Sequence, residues 1–168
     1  AAASCGLRAL AWGVALLLLA QIALGAWVST NYAVVACMSW PLCQGQLLPP
    51  ADYAQGFTLW RELHRDAAGG GISFDALVGI HLVHRWFALL AVLAAGVLAW
   101  RLRAVLPRSA ASLAALLAAQ FVTGLANVVL GWPLLAALLH TAGAAALVAV
   151  LVQVLLQIAP HKMAQKTD

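Results

Sequence analysis

Four long apolar runs constrain this chain more than any other feature of its sequence. They extend over about residues 9–28, 76–100, 110–132 and 133–159. Each run is close to or above the roughly 20 apolar residues that one helical crossing of a bilayer requires. Because none of them alternates with a period of two, the pattern predicts helices rather than a membrane barrel. The sequence therefore predicts an all-α membrane protein, a four-transmembrane-helix bundle that forms a single domain over residues 1–168.

The composition excludes a water-soluble fold. Of the 168 residues, 65% are hydrophobic and 8% are charged, whereas a soluble domain carries about 25% charged residues. So few charges cannot cover a surface that faces water, and lipid is therefore the expected solvent. The net charge of +4 is a topology signal in such a chain, and no nucleic-acid partner is expected.

The positions of Lys and Arg predict the orientation of the bundle. Six of them are expected at one membrane face: Arg8, Arg101, Arg103, Arg108, Lys162 and Lys166. The segment 29–75 holds only Arg61 and Arg65, together with four acidic residues. We therefore expect both termini in the cytoplasm, and the long outer loop 29–75 in the periplasm, on the far side of the inner (plasma) membrane.

A short phrase recurs in the first and third apolar runs. Residues 20–25 read Ala-Gln-Ile-Ala-Leu-Gly, and residues 119–124 read Ala-Gln-Phe-Val-Thr-Gly. Each phrase is followed by a run that carries a histidine near its outer end. The repetition predicts two tandem hairpins that pack as one bundle. The alternative is that Ala, Gly and Gln recur because small residues help membrane helices to pack.

Two histidines lie at matched depths in the second and fourth runs. His84 is eight residues from Ala76, and His140 is eight residues from Trp132. At 1.5 Å per residue, each lies about 12 Å below the outer boundary. Because ionisable residues within a membrane usually face the bundle interior, the two imidazoles can ligate one heme iron from opposite faces. The alternative is that each imidazole only hydrogen-bonds a neighbouring helix.

Two further polar residues accompany His84. His81 lies one turn outward on nearly the same helix face. It is a candidate alternative ligand, propionate partner or proton-transfer group, or else an interfacial histidine bonded to the loop. Arg85 lies too deep for a cation without an anion. A heme propionate would accept a charge-assisted hydrogen bond from it, and snorkelling to the outer headgroups is the alternative.

The predicted outer loop carries a cysteine pair and an amphipathic stretch. Cys37 and Cys43 are expected on the oxidising side, where disulfides persist, and the Trp-Pro bend between them favours a disulfide. The pair is either structural or redox-active, although its spacing is not Cys-x-x-Cys. Phe57, Trp60 and His64 recur at helical spacing, which predicts a short amphipathic helix on the membrane surface.

Five motifs follow one another along the chain. They are Leu-Gly-Ala-Trp-Val-Ser at 24–29, the loop from Cys37 through Trp-Pro-Leu-Cys to Gln-Gly at 44–45, His-Leu-Val-His-Arg at 81–85, the run 120–139, and His140-Thr141. In this order they resemble the heme A synthase family of cytochrome oxidase assembly. The resemblance covers nearly the whole chain, which looks like the C-terminal four-helix half of a proteobacterial member.

The resemblance implies an oxidoreductase activity and a cofactor. Members of the family oxidise a methyl substituent of heme O and so produce heme A for terminal oxidases. By position, His84 and His140 match the axial ligands of a heme b that serves electron transfer in the C-terminal half. Cys37 and Cys43 match the paired loop cysteines of the family. His81 stands where the substrate half carries a glutamate, so the catalytic acidic residue of that half is absent here.

The resemblance also implies partners, because four helices are half of the usual eight. Expected partners are the lipid bilayer, heme O and heme A as substrate and product, the N-terminal half of the same enzyme or a second copy of this chain, and heme O synthase. The chain starts with Ala1 rather than Met, which is typical of a fragment or a processed product.

Two other functions remain open from the residues alone. A four-helix membrane thiol oxidoreductase would pass electrons from Cys37 and Cys43 to quinone, and a cysteine-bearing outer loop suits it. A heme-free assembly subunit would use its histidines only for packing. A low-spin bis-histidine absorption spectrum would separate the heme-binding function from the heme-free subunit. Trapping of a mixed disulfide at Cys37 or Cys43 would favour the thiol oxidoreductase.

Overall fold

A computed structural model describes residues 4–60 and 71–160. Within these ranges it has four helices that are long and apolar enough to cross a membrane. In chain order the elements are α1 (Cys5–Thr30), a 3-10 turn (Ala33–Ala36), α2 (Tyr53–Gly56), α3 (Phe74–Leu102), α4 (Pro107–Val129) and α5 (Leu134–Gln157). The part of the chain that is described contains no strand. The prediction of an all-α chain with four membrane-spanning helices is therefore confirmed.

Local signals explain where the long helices begin. The Ser4 hydroxyl accepts a hydrogen bond from the Leu7 N–H at 3.2 Å and caps α1. The Ser73 hydroxyl does the same for the Ala76 N–H at the start of α3. Pro107 opens α4, where the missing N–H of proline would have no helical partner in any case. Each observed helix end lies within four residues of the predicted one.

The connection between α4 and α5 is a tight turn. The third apolar run was expected to continue to Trp132, but α4 ends at Val129. Gly131 and Trp132 have φ angles of +70° and +63°, which lie in the left-handed region that a right-handed helix does not contain. The Trp132 N–H donates to the Asn127 carbonyl at 2.9 Å. The turn therefore reverses the chain before α5 begins.

The four long helices form a ring in which each contacts two neighbours. Helix α1 packs against α3 and α5, and α4 packs against the same two helices. Helices α3 and α5 consequently stand diagonally opposite, without a close approach of their backbones. The most extensive packing joins α1 to α3 and α4 to α5. The bundle thus has the order of two hairpins that the repeated phrase indicates.

The apolar core occupies one end of the bundle, next to the connection between α3 and α4. Its most buried residues include Leu7, Ala11 and Val14 of α1, Leu98 and Leu102 of α3, Leu113 of α4, and Leu151 and Val154 of α5. We call the opposite end, where α1 leads into α3, the loop end. Gln21, His84, Gln120 and His140 lie toward it and are not part of this core cluster. The cluster with the most buried apolar residues therefore lies at one end of the bundle, whereas the loop end combines smaller apolar clusters with these polar groups.

The connection between α1 and α3 folds back onto α3 at the loop end. A disulfide joins Cys37 and Cys43, which are 0% and 1% exposed and pack with Val78 of α3. Gly56 of α2 lies so close to α3 that a Cβ there would come within 2.9 Å of the Ala76 carbonyl oxygen. The predicted disulfide is therefore confirmed, and the connection is anchored on α3 at two points.

The amphipathic helix expected through Phe57, Trp60 and His64 extends into residues 61–70, which lie outside the described residues. Its described beginning is not helical, because α2 ends at Gly56 and turns and bends follow it. The short helix α2 thus lies just ahead of the stretch that the spacing indicated.

Candidate functional site

Each hairpin brings one histidine ring against a glycine of its partner helix. A Cβ on Gly25 of α1 would lie 3.1 Å from Cε1 of His84, and a Cβ on Gly124 of α4 would lie 3.1 Å from Cε1 of His140. Such separations are tighter than ordinary van der Waals contact. Only a residue without a side chain leaves this room for the imidazole without displacing it. The same contact is therefore built twice.

The positions of the two glycines place the rings at the same level. Gly25 lies five residues before the end of α1 at Thr30, and Gly124 lies five residues before the end of α4 at Val129. Both helices end at the loop end, and each residue adds about 1.5 Å of rise. The matched depth of His84 and His140 thus follows from their matched glycine contacts.

The glutamine of the repeated phrase bridges the helices of each hairpin. Nε2 of Gln21 donates to the carbonyl oxygen of His84 at 3.3 Å. Nε2 of Gln120 donates to the carbonyl oxygen of His140 at 2.9 Å. Side-chain hydrogen bonds between membrane helices fix how one helix is placed along another. The glutamines therefore hold each histidine at the height of the glycine that it faces.

The second hairpin orients its imidazole with a hydroxyl. The Thr123 hydroxyl lies 3.0 Å from Nδ1 of His140 and donates to the Ala119 carbonyl at 2.8 Å. When the hydroxyl hydrogen is directed at the Ala119 carbonyl, the Thr123 oxygen accepts from an Nδ1–H. In the neutral imidazole Nε2 then carries the free lone pair, which is the arrangement that suits a metal ligand.

The first hairpin has no hydroxyl at the equivalent position, which Leu24 occupies in the repeated phrase. Nε2 of Gln21 instead lies 3.0 Å from Nδ1 and 3.3 Å from Nε2 of His84. Oε1 of Gln21 is buried without a hydrogen-bond partner among the described residues. One amide group thus serves both the backbone and the ring of His84, whereas the second hairpin divides these tasks between Gln120 and Thr123.

His84 and His140 lie at the same level on diagonally opposite helices. Both side chains are half-buried. In residues 4–60 and 71–160, no cluster of three or more His, Cys, Asp or Glu side chains could hold a metal ion. Two imidazoles suit an iron that a porphyrin already ligates, since a bare ion needs three or four protein ligands.

His81 and Arg85 lie on the loop side of His84. His81 is 3% exposed, and its Nε2 accepts a hydrogen bond from Nε of Arg85 at 3.2 Å. The remaining bonds of Arg85 go to the disulfide-closed segment: Nη2 donates to the carbonyl oxygens of Cys37 at 2.7 Å and Ser39 at 3.0 Å, and Nη1 donates to that of Leu42 at 3.3 Å. The guanidinium is therefore fastened to the connection between α1 and α3.

Sequence reasoning did not assign Gly25, Gly124 and Thr123 to the site. A signal for the glycines was present, because each follows the glutamine of its phrase by four residues and so lies on the same helix face. The signal for Thr123 was weaker, since a threonine in a membrane helix commonly bonds the carbonyl four residues earlier. Only its place opposite His140 shows the second contact.

The fold and the site define a helical membrane bundle in which diagonally opposite helices present a pair of histidines, an arrangement typical of heme-binding bundles. Residues 1–152 match the family model COX15-CtaA, described as cytochrome oxidase assembly protein. The chain belongs to this family.

The most similar curated relatives include several heme A synthases. The chain is 35% identical over 139 residues to that of Shewanella oneidensis, covering 82% of this chain and 42% of the relative. It is 36% identical over 118 residues to that of Erythrobacter litoralis, with 70% and 32% covered. It is 37% identical over 142 residues to the heme A synthase of Symbiobacterium thermophilum, covering 81% of this chain and 39% of the relative. The chain thus spans less than half the length of these relatives. No solved structure matches the chain significantly.

Proposed function

We propose that this chain is the heme-b-binding half of a heme A synthase, which supports the oxidation of heme O to heme A for cytochrome oxidase biogenesis. The observation that carries the proposal is the repeated contact of a histidine ring with a glycine, His84 on Gly25 and His140 on Gly124. The similarity to heme A synthases supports the same function. Because the chain spans 42% or less of these three relatives, the complete reaction is proposed for its assembly with an N-terminal half or a second copy.

His84 and His140 would hold heme b by binding its iron. When bound, the heme would supply a one-electron redox centre for electron transfer. The residues of this chain position the ligands. Gln21 and Gln120 set the heights of the two histidines, and Thr123 orients the His140 ring through Nδ1. Oxidation of the methyl group is assigned to the partner half, because His81 stands where the resembling substrate half carries its glutamate.

Arg85 is proposed to pair with a heme propionate. Its hydrogen bonds among the described residues go to three carbonyl oxygens and the His81 imidazole, none of which carries a negative charge. A cation at membrane depth is stabilised by an anion, and guanidinium groups bind carboxylates with strong, directed hydrogen bonds. His81, which accepts from Nε of Arg85, would fix the plane of the guanidinium.

The proposed orientation places both termini in the cytoplasm and the loop 29–75 in the periplasm, with the chain in the inner membrane. Arg8, Arg101 and Arg103 lie at the end of the bundle opposite the loop end, as the positive-inside rule predicts for a cytoplasmic face. The Cys37–Cys43 disulfide supports a loop end on the oxidising side. Heme b would then lie near the periplasmic face.

The absorption spectrum of the purified chain tests the proposal. A pyridine hemochrome should identify heme b, and the oxidised protein should show a low-spin bis-histidine spectrum. His84→Ala and His140→Ala should each remove the heme or abolish the low-spin spectrum, while His161→Ala, placed by the sequence beyond the fourth span, should leave it unchanged. A heme-free wild-type chain, or histidine variants with the wild-type spectrum, would contradict the proposal.

The two alternative functions predict different outcomes. A thiol oxidoreductase needs an accessible disulfide, and the burial of Cys37 and Cys43 argues against this use of the pair. A heme-free assembly subunit would show no hemochrome and no effect of either histidine substitution on the visible spectrum.

A further inference from the structure

The segment Cys37–Cys43, which we call the disulfide loop, directs three backbone carbonyl oxygens at one side chain. The carbonyls of Cys37, Ser39 and Leu42 all accept hydrogen bonds from the Arg85 guanidinium, at 2.7, 3.0 and 3.3 Å. All three belong to the small ring that the disulfide closes. The guanidinium is therefore bound by three acceptors whose arrangement depends on the loop remaining closed.

Hydrogen bonds within and beside the disulfide loop restrain these carbonyl oxygens. The Ser39 hydroxyl donates to the Leu42 carbonyl at 2.9 Å, so this oxygen accepts from both the loop and Arg85. At the end of the loop, Cys43 and Gln46 exchange two backbone hydrogen bonds of 2.8 and 2.9 Å. Since these bonds restrain the carbonyls locally, Arg85 meets acceptors that are already aligned.

The disulfide loop also reaches from α3 to α4. The Trp40 ring packs edge-on against Phe121 of α4, with ring centroids 5.8 Å apart. The Met38 side chain lies 3.3 Å from the place that a Cβ on Gly131 would occupy. Arg85 follows His84 in the sequence, and Phe121 follows Gln120. The loop thus joins the two hairpins close to the level of their histidines.

We propose that Arg85 is a positioning residue that latches the disulfide loop to α3, and that the disulfide in turn holds the carbonyl oxygens that aim the Arg85 guanidinium. The planar guanidinium can bond several carbonyls at once, which a lysine cannot reproduce. The coupling is reciprocal, because a bond that stabilises the closed loop is itself stabilised by closure. The latch stands on contacts within the chain, and its effect on a bound cofactor rests on the proposed function.

The rate at which the disulfide opens tests the latch without reference to heme. Purified protein is treated with a phosphine reductant and sampled over time with a maleimide-linked polymer, which adds mass at each free thiol. Cys5, which is free and exposed, gives one mass step throughout, and disulfide opening adds two more. Arg85→Gln should speed opening by about 10-fold or more, since hydrogen bonds to a charged group are lost.

Two further variants make this test specific. Arg85→Lys should open at an intermediate rate, because it keeps the charge but loses the fork of donors. Arg103→Gln is the matched control, at the residue that follows the same helix. Its side chain donates to the Trp100 carbonyl and does not touch the loop, so the opening rate of this variant should equal that of the wild type. If Arg85→Gln, or Arg85→Lys when the first variant is not recovered, opens at the wild-type rate, the latch is overturned.

The midpoint potential of the bound heme tests the second part of the proposal. Arg85→Gln should lower the potential, because a cation near the iron disfavours its oxidised, more positive state. Replacing both loop cysteines by serine should lower it in the same direction, while Cys5→Ser should not change it. Combining the cysteine replacements with Arg85→Gln should lower the potential no further than either change alone. Additive shifts would overturn the proposed coupling between Arg85 and the disulfide. A heme-free protein would contradict the proposed function but leave the disulfide-opening test intact.

Discussion

The two hairpins of the bundle carry the same glutamine, glycine and histidine but surround them differently. In the hairpin of α1 and α3, one amide group serves both the ring and the backbone of His84, and the disulfide loop packs above it. In the hairpin of α4 and α5, Thr123 bonds the His140 ring, and only a tight turn joins the two helices. The shared residues set the ring positions, whereas Thr123, Arg85 and the disulfide loop, which have no equivalent in the other hairpin, account for the differences in ring orientation, charge and cover.

Different residues place the two rings, orient them and supply the nearby charge. A glycine that faces an imidazole is needed wherever a ring must fit between close helices, so both hairpins retain it. Ring orientation has more than one solution, and here a hydroxyl and an amide provide it. The nearby cation is present in one hairpin only, because Arg85 has Thr141 as its counterpart after His140. The site is therefore symmetric in its histidines and asymmetric in its electrostatics.

The largest expected effect concerns the two glycines that face the histidine rings. If the effect differed between them, the two ring contacts would not be equivalent. Gly25→Val and Gly124→Val should each reduce heme content about 10-fold or more, because the new side chain displaces the imidazole. Gly13→Val is the control, since a Cβ at Gly13 meets no atom within 4 Å. Heme content per protein from hemochrome spectra measures the effect. Wild-type content in either site variant would show that its ring contact is dispensable.

The next largest effect concerns Thr123, the hydroxyl residue that only the second hairpin has beside its histidine. Thr123→Val should weaken heme binding about 10-fold, because losing the partner that orients a metal-binding histidine costs affinity. Leu24→Val, at the equivalent position of the first hairpin, should leave binding unchanged. Titration of the apoprotein with hemin gives both affinities. Equal losses in the two variants would mean that volume rather than the hydroxyl matters at this position.

The glutamines should show a smaller and unequal effect. Gln120→Leu removes one interhelical hydrogen bond, worth about 1 kcal/mol, and should lower the thermal stability of the detergent-solubilised protein slightly. Gln21→Leu should lower it by a similar amount and also alter the low-spin heme spectrum, since Gln21 contacts the His84 ring. If Gln120→Leu changed the spectrum as much, the division of tasks in the second hairpin would be contradicted.

The smallest effect concerns the contact that joins the loop to the second hairpin. Trp40→Ala should lower the free energy of unfolding by about 0.5 kcal/mol, through loss of the ring contact with Phe121. Trp60→Ala is the matched control, because that side chain is 94% exposed, and its stability should match the wild type. Denaturant titration in detergent measures both variants. An equal loss in Trp60→Ala would assign the effect to general membrane contact.

Much of the fold could be predicted because each signal was local. The apolar runs indicated four helices, and the cysteines bracketing a Trp-Pro bend indicated the disulfide, both of which the structure confirms. The end of α4 was misplaced because Leu130, Gly131 and Trp132 are apolar, and hydropathy does not reveal that two of them have positive φ. The ligand roles of His84 and His140 remain predictions.

The sequence by itself determined the membrane-spanning helices, the repeat and the family, because hydrophobicity and ordered motifs can be read along a single chain. Only the tertiary structure decided that Gly25 faces His84, that Thr123 reaches His140, and that Arg85 is held by the carbonyls of the disulfide loop. These contacts join residues distant along the chain. Because every residue has a backbone carbonyl, the sequence does not show which carbonyls bind Arg85. The paired histidines were therefore visible as candidates, whereas their surroundings depended on how the helices pack.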